Sequence, residues 1–544
     1  MKIFTFLLIT VFYLSLFQNT NAQKPSFEWA QNGGNSSFAS GNSEIMSLGD
    51  GTLFLCGDFL ETAVFGDFSI NSEGENDVYV ALLQEQGEME WLQSFGGSDE
   101  DFLKAAATDG NDHVYFATAF YGETHIGTET FNSMGSQDFY IAGFNKDGNF
   151  LWARHIGSLQ TDYINSMDVD KEGNIVVTGK FYNDIIFGDE VLYSNGSSDF
   201  FIAKFDPFGN LIWLEQGGAG STDDANSITT DPENNIFLTG YFYGETQLGD
   251  SVYTTTNPTG VYLAKYSSDA GFLWARIIDG DNLSNVSFVE AEKQSGVFMS
   301  GNFSGNLNLG SHTFNTGEFN TDVYAAKFSD GGEILWAVHG GGDASDDIAA
   351  LAADEAGNLY ISGHYLMDIT FGNITLTYTL CCGSPEIYIV KITPEGQPDW
   401  GDQISGERAS VCSVDINLPE HLYVSGIFYD TLNIGNFTTI EANADYNNYY
   451  ASITWPGVTN INNNSNIDNL NIYPHPTREI ISVELVNASQ IRIYDIRGNC
   501  LSAIITNSQK SLKISVSDLP NGIYFLEACD GNSRIVSGKF IVAR

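Results

Sequence analysis

The stretch LWARHIGSLQTDYINSMDVDKEGNIVVTGKFYNDIIFGDEVLYSNGSSDFFIAKFDPFGNLIW, residues 151–213, spans one full period of the chain, and its reading decides the fold. Residues 151–156 form a strand-like run that Gly157-Ser158 breaks, and a second such run covers residues 163–169. Asp170-Lys171-Glu172-Gly173-Asn174 then makes a tight turn, with glycine where φ must be positive and Asp placed to accept bonds from the turn amides. A short β-branched run follows at residues 175–178. After a longer connection, residues 200–205 read as a further strand, and Asp206-Pro207-Phe208-Gly209 turns the chain into the next strand bearing a tryptophan. One copy therefore holds four main strands.

The copy recurs. Trp29, Trp91, Trp152, Trp213, Trp274, Trp336 and Trp400 are separated by 62, 61, 61, 61, 62 and 64 residues. Phe59, Phe120, Phe181, Phe242, Phe303, Tyr365 and Phe428 keep nearly the same spacing, as do Gly66, Gly127, Gly188, Gly249, Gly310, Gly372 and Gly435. A long, regular period of four-stranded units predicts an all-β chain folded as a seven-bladed β-propeller, with a linear solenoid as the alternative. Ordinary propeller repeats run to roughly 40–45 residues, so each copy carries a surplus. That surplus is the piece from Ile185 to Tyr193 and its counterparts, which read as an added hairpin turning at Gly188-Asp189. The first copy opens on a Trp strand, residues 27–30, while residues 448–453 have no Trp strand after them, so the N-terminal strand is expected to complete the last blade. Seven buried indoles at that spacing read as core rather than as a binding surface.

Charge divides the chain unevenly. From Gln23 to Trp455 there are 13 basic against 62 acidic residues, a balance of −49, and from Asn471 to Arg544 8 against 6. Such a body repels phosphate backbones and anionic lipid, which argues against nucleic-acid and membrane partners and favours cations or basic patches. Lys2, the apolar run at residues 3–17 and the small residues up to Ala22 read as a signal peptide ending at residue 22. No later run approaches the roughly 20 apolar residues of a membrane span. Six cysteines match neither a disulfide scaffold nor paired metal-ligand spacing, although Cys500 and Cys529 leave room for one local bridge.

Two resemblances rest on these residues. Gly217-Gly218, Asp223-Asp224, the turn from Asp231 to Asn235, Leu238-Thr239-Gly240, Ala264-Lys265-Tyr266 and Leu273-Trp274 resemble the bacterial SBBP β-propeller repeat. The fifth copy departs from it, with Asn282-Leu283-Ser284-Asn285 in place of the acidic pair. The tail is similar to the type A sorting domain of the type IX secretion system. Its marks are Tyr473-Pro474-His475-Pro476, the run ending at Gly498, and Pro520-Asn521-Gly522-Ile523-Tyr524. That resemblance implies a small immunoglobulin-like β-sandwich, handled by the type IX machinery and often cleaved at the surface. The expected organisation is a signal peptide at 1–22, the propeller at 23–455, an Asn-rich linker at 456–469 and the sorting domain at 470–544. The expected destination is the medium or the outer cell surface.

No HExxH, GxSxG, Walker loop or Asp-box survives inspection, and the eight histidines follow no period, so no catalytic residue is assigned. In an antiparallel blade, the connection from the previous blade and the connection between strands two and three fall on one face. The first carries Asp99, Asp101, Asp162, Asp223, Asp224, Asp346 and Asp347, whose oxygens suit Ca²⁺. The second begins with Tyr121, Tyr182, Tyr243 and Tyr429, suited to stacking on sugars or anchoring a protein. The competing reading is that the acids cap turns and the tyrosines pack the hairpins. The expected role is non-enzymatic binding or adhesion to an extracellular glycan or protein. The alternatives are a polysaccharide-degrading propeller enzyme and a structural surface-layer component.

Overall fold

A computed structural model describes residues 26–35, 42–257, 259–317, 320–380, 383–417, 421–435, 437–441 and 446–454, and segments of the tail between 472 and 542. The expected signal peptide and the Asn-rich linker lie outside the described residues. Two compact units divide the chain, Met1–Val458 and Thr459–Arg544. Both are all-β among the described residues, and no helix is long and apolar enough to cross a membrane.

The first unit repeats one antiparallel meander. Tyr163–Val169, Ile175–Phe181, Asp199–Phe205 and Leu211–Gly217 pair in that order, so the Trp213 strand is the last of its group. Asp101–Thr108, His113–Phe120, Asp138–Asn145 and Phe150–Ile156 form the meander before it. Ser43–Ser47, Leu53–Phe65, Phe68–Leu83 and Met89–Gly97 form the one before that. Asp223–Thr230, Ile236–Phe242, Gly260–Tyr266 and the start of Phe272–Ala291 continue the series. Its end then opens the next group, with Val297–Leu309, Asp322–Phe328 and Ile334–Gly342. Asp346–Ala353, Leu359–Tyr365, Glu386–Ile392 and the start of Pro398–Asn417 follow. The rest of Pro398–Asn417 pairs with His421–Ile434, then Asn447–Thr454, then Ser26–Asn35. The N-terminal strand thus closes the last meander in the register Phe27↔Ile453 to Gly33↔Asn448, as the sequence predicts.

Two strands run through from one meander into the next where a break was expected. Residues 279–280 pair with the Val297–Leu309 strand, and residues 404–406 with His421–Ile434. These are copies in which no glycine pair is followed by an acid that turns the chain, so the connection stays extended.

Core clusters join consecutive meanders rather than filling single ones. Tyr115, Phe139 and Trp152 pack against Ile164, Ile175 and Phe201 of the next group, and Trp29, Tyr423 and Tyr450 against Ile45, Leu53 and Tyr79. The first strands converge on one cavity of about 240 Å³, touched by Glu44, Lys104, Met167, Ile228, Val289, Ala350 and Val414.

A forward reach of the tryptophans fixes the spacing. The Trp152 indole donates to Pro207 O at 2.9 Å, Trp91 to Lys146 O at 2.9 Å, Trp213 to Ser268 O at 3.1 Å and Trp29 to Glu85 O at 2.9 Å. Trp274 and Trp336 bond Asp330 O and Pro394 O in the same way. Each acceptor sits in the turn before the next Trp strand. Gly209 of that turn has φ +77°, and a Cβ there would stand 2.5 Å from the Trp152 ring. Trp29, Trp152, Trp336 and Trp400 are buried, but Trp91, Trp213 and Trp274 are only half-buried.

The added hairpins form as read, Asp184–Phe187 against Glu190–Tyr193 through the two-residue turn Gly188-Asp189. Their role is cross-meander pairing. Gly96 and Gly97 pair with His125 and Thr124, and Gly340 to Gly342 pair with Phe371 to Ile369, each hairpin belonging to the following meander. A Cβ on Gly97 would lie 1.8 Å from Glu123 O, and one on Gly342 2.1 Å from Asp368 O. The glycine pair of the repeat is therefore a close-approach requirement.

In the second unit, Ile472–Tyr473, Ile480–Glu484 and Ser511–Ser515 form one sheet, and Cys500–Ile505, Ala488–Tyr494, Gly522–Asp530 and Ile535–Val542 another. Ile481, Val483, Ile491, Ile493, Tyr524 and Leu526 share one core. The strand Ala488–Tyr494 lies between those carrying Cys500 and Cys529, with Cys500 opposite Tyr494 and Cys529 opposite Gln490. Two strand spacings, about 9.5 Å, therefore separate the two backbone positions.

Gly209→Ala and Gly188→Ala separate the two demands on these glycines. Both have positive φ, but no atom lies within 4 Å of a Cβ on Gly188. Gly188→Ala should cost about 1 kcal/mol of backbone strain, and Gly209→Ala about 2–4 kcal/mol because the indole and its hydrogen bond must also move. Equal losses in urea unfolding would refute the packing role of the turn.

Candidate functional site

The sequence points to the face that carries the connections between meanders and the hairpin connections. Asp101, Asp162, Asp223 and Asp346 stand at or next to the first residue of a first strand, and all are buried. Asp101 and Asp223 turn back on the residue four before them, Asp101 Oδ2 accepting Gly97 N–H and Asp223 Oδ2 accepting Ala219 N–H, each at 2.9 Å. Both carboxyl oxygens of Asp162 and Oδ2 of Asp346 are buried without a hydrogen-bond partner among the described residues. Capping of turns, the competing reading, is what Asp101 and Asp223 do.

Sequence reasoning missed a second column. Asp77, Asp138, Asp199, Asp322 and Glu386 open the third strand's pairing, are buried, and recur at the same period. Asp77, Asp138 and Asp199 cap the amides of Glu73, Met134 and Asn195 at 2.8–2.9 Å. His155 Nε2 meets Asp138 at 2.7 Å and His339 Nε2 meets Asp322 at 2.5 Å, so both histidines are structural partners. The columns meet across meanders as Asp77 with Asp101, Asp138 with Asp162, Asp199 with Asp223 and Asp322 with Asp346. The signal that exposes them is the shared interval of 24 residues, which no periodicity within one copy displays.

Burial, reinforced by the facing carboxyl, pushes Asp101 and Asp346 up to about 8, Asp162 to about 7 and Asp223 to about 6. Burial likewise takes Asp77 to about 7. Among the described residues no three His, Cys, Asp or Glu side chains come together as a metal cluster. Asp224 is tied to Lys180 Nζ at 2.8 Å and to Asn165 at 2.7 Å, and Asp99 is exposed.

The tyrosines are wedges more than a platform. Tyr121 donates to Gln137 Oε1 at 2.8 Å, Tyr182 meets Tyr163 edge-on at 6.3 Å, and Tyr429 packs on Tyr446 at 5.3 Å. Tyr243 alone of the four is exposed, at 37%.

Asp347 behaves differently. His364 Nδ1 lies 2.7 Å from Asp347 Oδ1, and His364 Nε2 lies 3.0 Å from Ser410 Oγ. All three line an open cleft of about 850 Å³ together with Arg408, Leu366 and Pro385.

Residues 212–241 match the family model described as a β-propeller repeat, SBBP, and residues 471–543 match the secretion system C-terminal sorting domain. The chain thus carries an SBBP β-propeller repeat and a type IX secretion sorting tail. The tail points to secretion and the outer surface and implies contact with the secretion machinery. In this sorting domain Tyr473 and Gly522 lie on strands and Tyr524 is buried, whereas Pro474, Pro476, Gly498 and Pro520 lie outside the described residues. The chain is 23% identical to an uncharacterised WD repeat-containing protein of Acanthamoeba polyphaga mimivirus, over 81% of this chain and 39% of that protein. The chain thus spans well under half of that relative's length. Among solved structures, it resembles the NanB sialidase of Streptococcus pneumoniae at 9% identity and TM-score 0.31, covering 78% of this chain and 70% of that one. A rhamnogalacturonan lyase of Bacillus licheniformis matches at 11% identity and TM-score 0.25, covering 94% and 91%.

The buried carboxyls make a pH dependence of definite sign. Their raised pKa values mean that the folded state holds protons the unfolded chain has released, so stability falls as pH rises from about 4 to about 8. The melting temperature should therefore be higher at pH 5 than at pH 8. Asp101→Asn, which mimics the protonated acid, should narrow that difference by raising the value at pH 8. A melting temperature that climbs with pH over this window would contradict the assignment.

Proposed function

We propose that the protein is a surface-displayed binding module: a closed seven-bladed propeller, each blade carrying an added hairpin, exported through an immunoglobulin-like type IX sorting domain. The observation that carries this reading is the sorting domain at residues 471–543, joined to a body of repeated meanders. Neighbouring meanders are stitched together by indole bonds, hairpin pairing and capped turns, which gives a rigid frame. The hairpins and the cleft by His364 are the parts of that frame free to meet a ligand. The acidic body favours an extracellular glycan or a protein with basic patches over a polyanion.

Deleting residues 471–544 should leave the propeller folded and held in the periplasm. Normal levels of the truncated protein in the medium or at the cell surface would refute the export reading. For the binding role, the chain from Gln23 to Arg544 is tested on a glycan array and against extracellular polysaccharides. Saturable binding is the expected outcome, and abundant self-association without binding would favour a structural surface-layer role instead.

A further inference from the structure

We propose that Asp347, His364 and Ser410 form a nucleophilic triad that hydrolyses esters of short carboxylic acids in the 850 Å³ cleft. This goes beyond ligand binding and stands independently of it. The three residues come from three strands. Asp347 and His364 face each other in register at the edge of one meander, and Ser410 enters from the first strand of the next.

Hydrogen bonding sets the histidine in the form a base requires. Val411 N–H points at Nε2, 3.3 Å away, so Nε2 presents its lone pair. The ring proton then sits on Nδ1 and is donated to Asp347 Oδ1 at 2.7 Å, while Asp347 also accepts the His364 N–H at 3.0 Å. Ser410 Oγ, 3.0 Å from Nε2, is within direct proton-transfer reach. Asp347 orients the ring and is a positioning residue.

The backbone singles out this serine. Arg408 has φ +51°, and the pairing slips between Glu407↔Tyr429 and Ser410↔Ile427, a bulge that re-aims the side chains that follow. Arg408 is the only Lys or Arg among the described residues lining the cleft. Its guanidinium stacks over Tyr429 at 5.4 Å and donates to the Tyr446 hydroxyl at 3.1 Å, a fixed cation for charge that develops on a carbonyl oxygen.

The other meanders use the position of His364 differently. Lys180 pairs with Asp224, and Asn302 accepts Ile348 N–H at 3.0 Å. The Asn302 contact defines the structural alternative, in which His364 serves only to accept Val411 N–H.

In the reaction, Ser410 Oγ attacks the ester carbonyl carbon and its proton passes to His364 Nε2. The tetrahedral species collapses, the carbon–oxygen bond to the alcohol breaks, and Nε2–H protonates the departing alkoxide. Water then attacks the acyl-serine, giving its proton to Nε2. The carboxylic acid leaves as Ser410 recovers that proton. Asp347 is half solvent-exposed, with 52% of its side chain accessible, which weakens its hold on the ring and suits an alkoxide leaving group better than an amine. The small apolar wall of Leu366, Pro385 and Ala409 accommodates a short acyl group.

The test uses the chain from Gln23 to Arg544 with a fluorophosphonate probe, read by intact mass and peptide mapping, and with p-nitrophenyl acetate. One adduct at Ser410 is expected, absent from Ser410→Ala, with hydrolysis falling in parallel. His364→Asn retains an acceptor for Val411 N–H, as Asn302 does for Ile348, so its melting temperature should hold while labelling slows at least about 100-fold. Asp347→Asn should slow labelling about tenfold or more, and Asp347→Glu should recover much of that loss. No adduct at Ser410 in the unmodified chain, or labelling of His364→Asn at the original rate, overturns the proposal. Should His364→Asn unfold, Asp347→Asn decides, and an unchanged labelling rate there overturns it equally.

Discussion

An indole N–H that reaches some 55 residues forward holds this molecule in phase. The bond is worth about 1 kcal/mol by itself, but its geometry fixes much more. It places the last strand of one meander under the final turn of the next, and it sets a positive φ in that turn, filled by Gly209 after Trp152 and by Ala270, at φ +69°, after Trp213. Once that relation is set, each meander is complete only in contact with its successor. Trp29 obeys the same rule toward Glu85, which is why the N-terminal strand joins the last group and packs against the first.

The other recurrent residues serve the same junction. Glycine pairs let a hairpin approach the neighbouring outer strand, and aspartates cap the turns that result. The lysine of the Ala-Lys strand meets the acid of the tight turn, as Lys204 does Asp170 at 2.8 Å. Some of the acidity that looks from composition like a solubilising surface is therefore buried, and part of it caps turns. Its cost is desolvation, visible in carboxyls held protonated well above their usual range.

Chemistry appears where the repeat loosens. Other meanders fill the position of His364 with residues such as Lys180 and Asn302, and among the described residues only this junction brings a serine on a bulged strand within 3.0 Å of an imidazole. The cleft opens beside the long strand Pro398–Asn417, which lacks the glycine-pair turn of the regular copies. Regular copies supply a rigid frame, and an irregular one supplies a reactive group with room beside it.

From the sequence alone came the four-strand copy, the tight turns at Asp170 and Asp354, the two-residue hairpin at Gly188-Asp189, closure by residues 27–30 and the sorting tail. All of these rest on contacts between residues close in sequence or on a period repeated many times, and local pattern is enough to reveal them. Tertiary structure alone decided that Asp101 faces Asp77, that each hairpin zips onto the preceding outer strand, that Cys500 and Cys529 stand two strands apart, and that His364 touches Ser410. Those contacts cross from one meander or strand to another, and their partners are chosen by the angle and offset at which neighbours pack. No spacing within one copy encodes that geometry, so a histidine that looks solitary in the chain acquires its two partners only when the sheets come together.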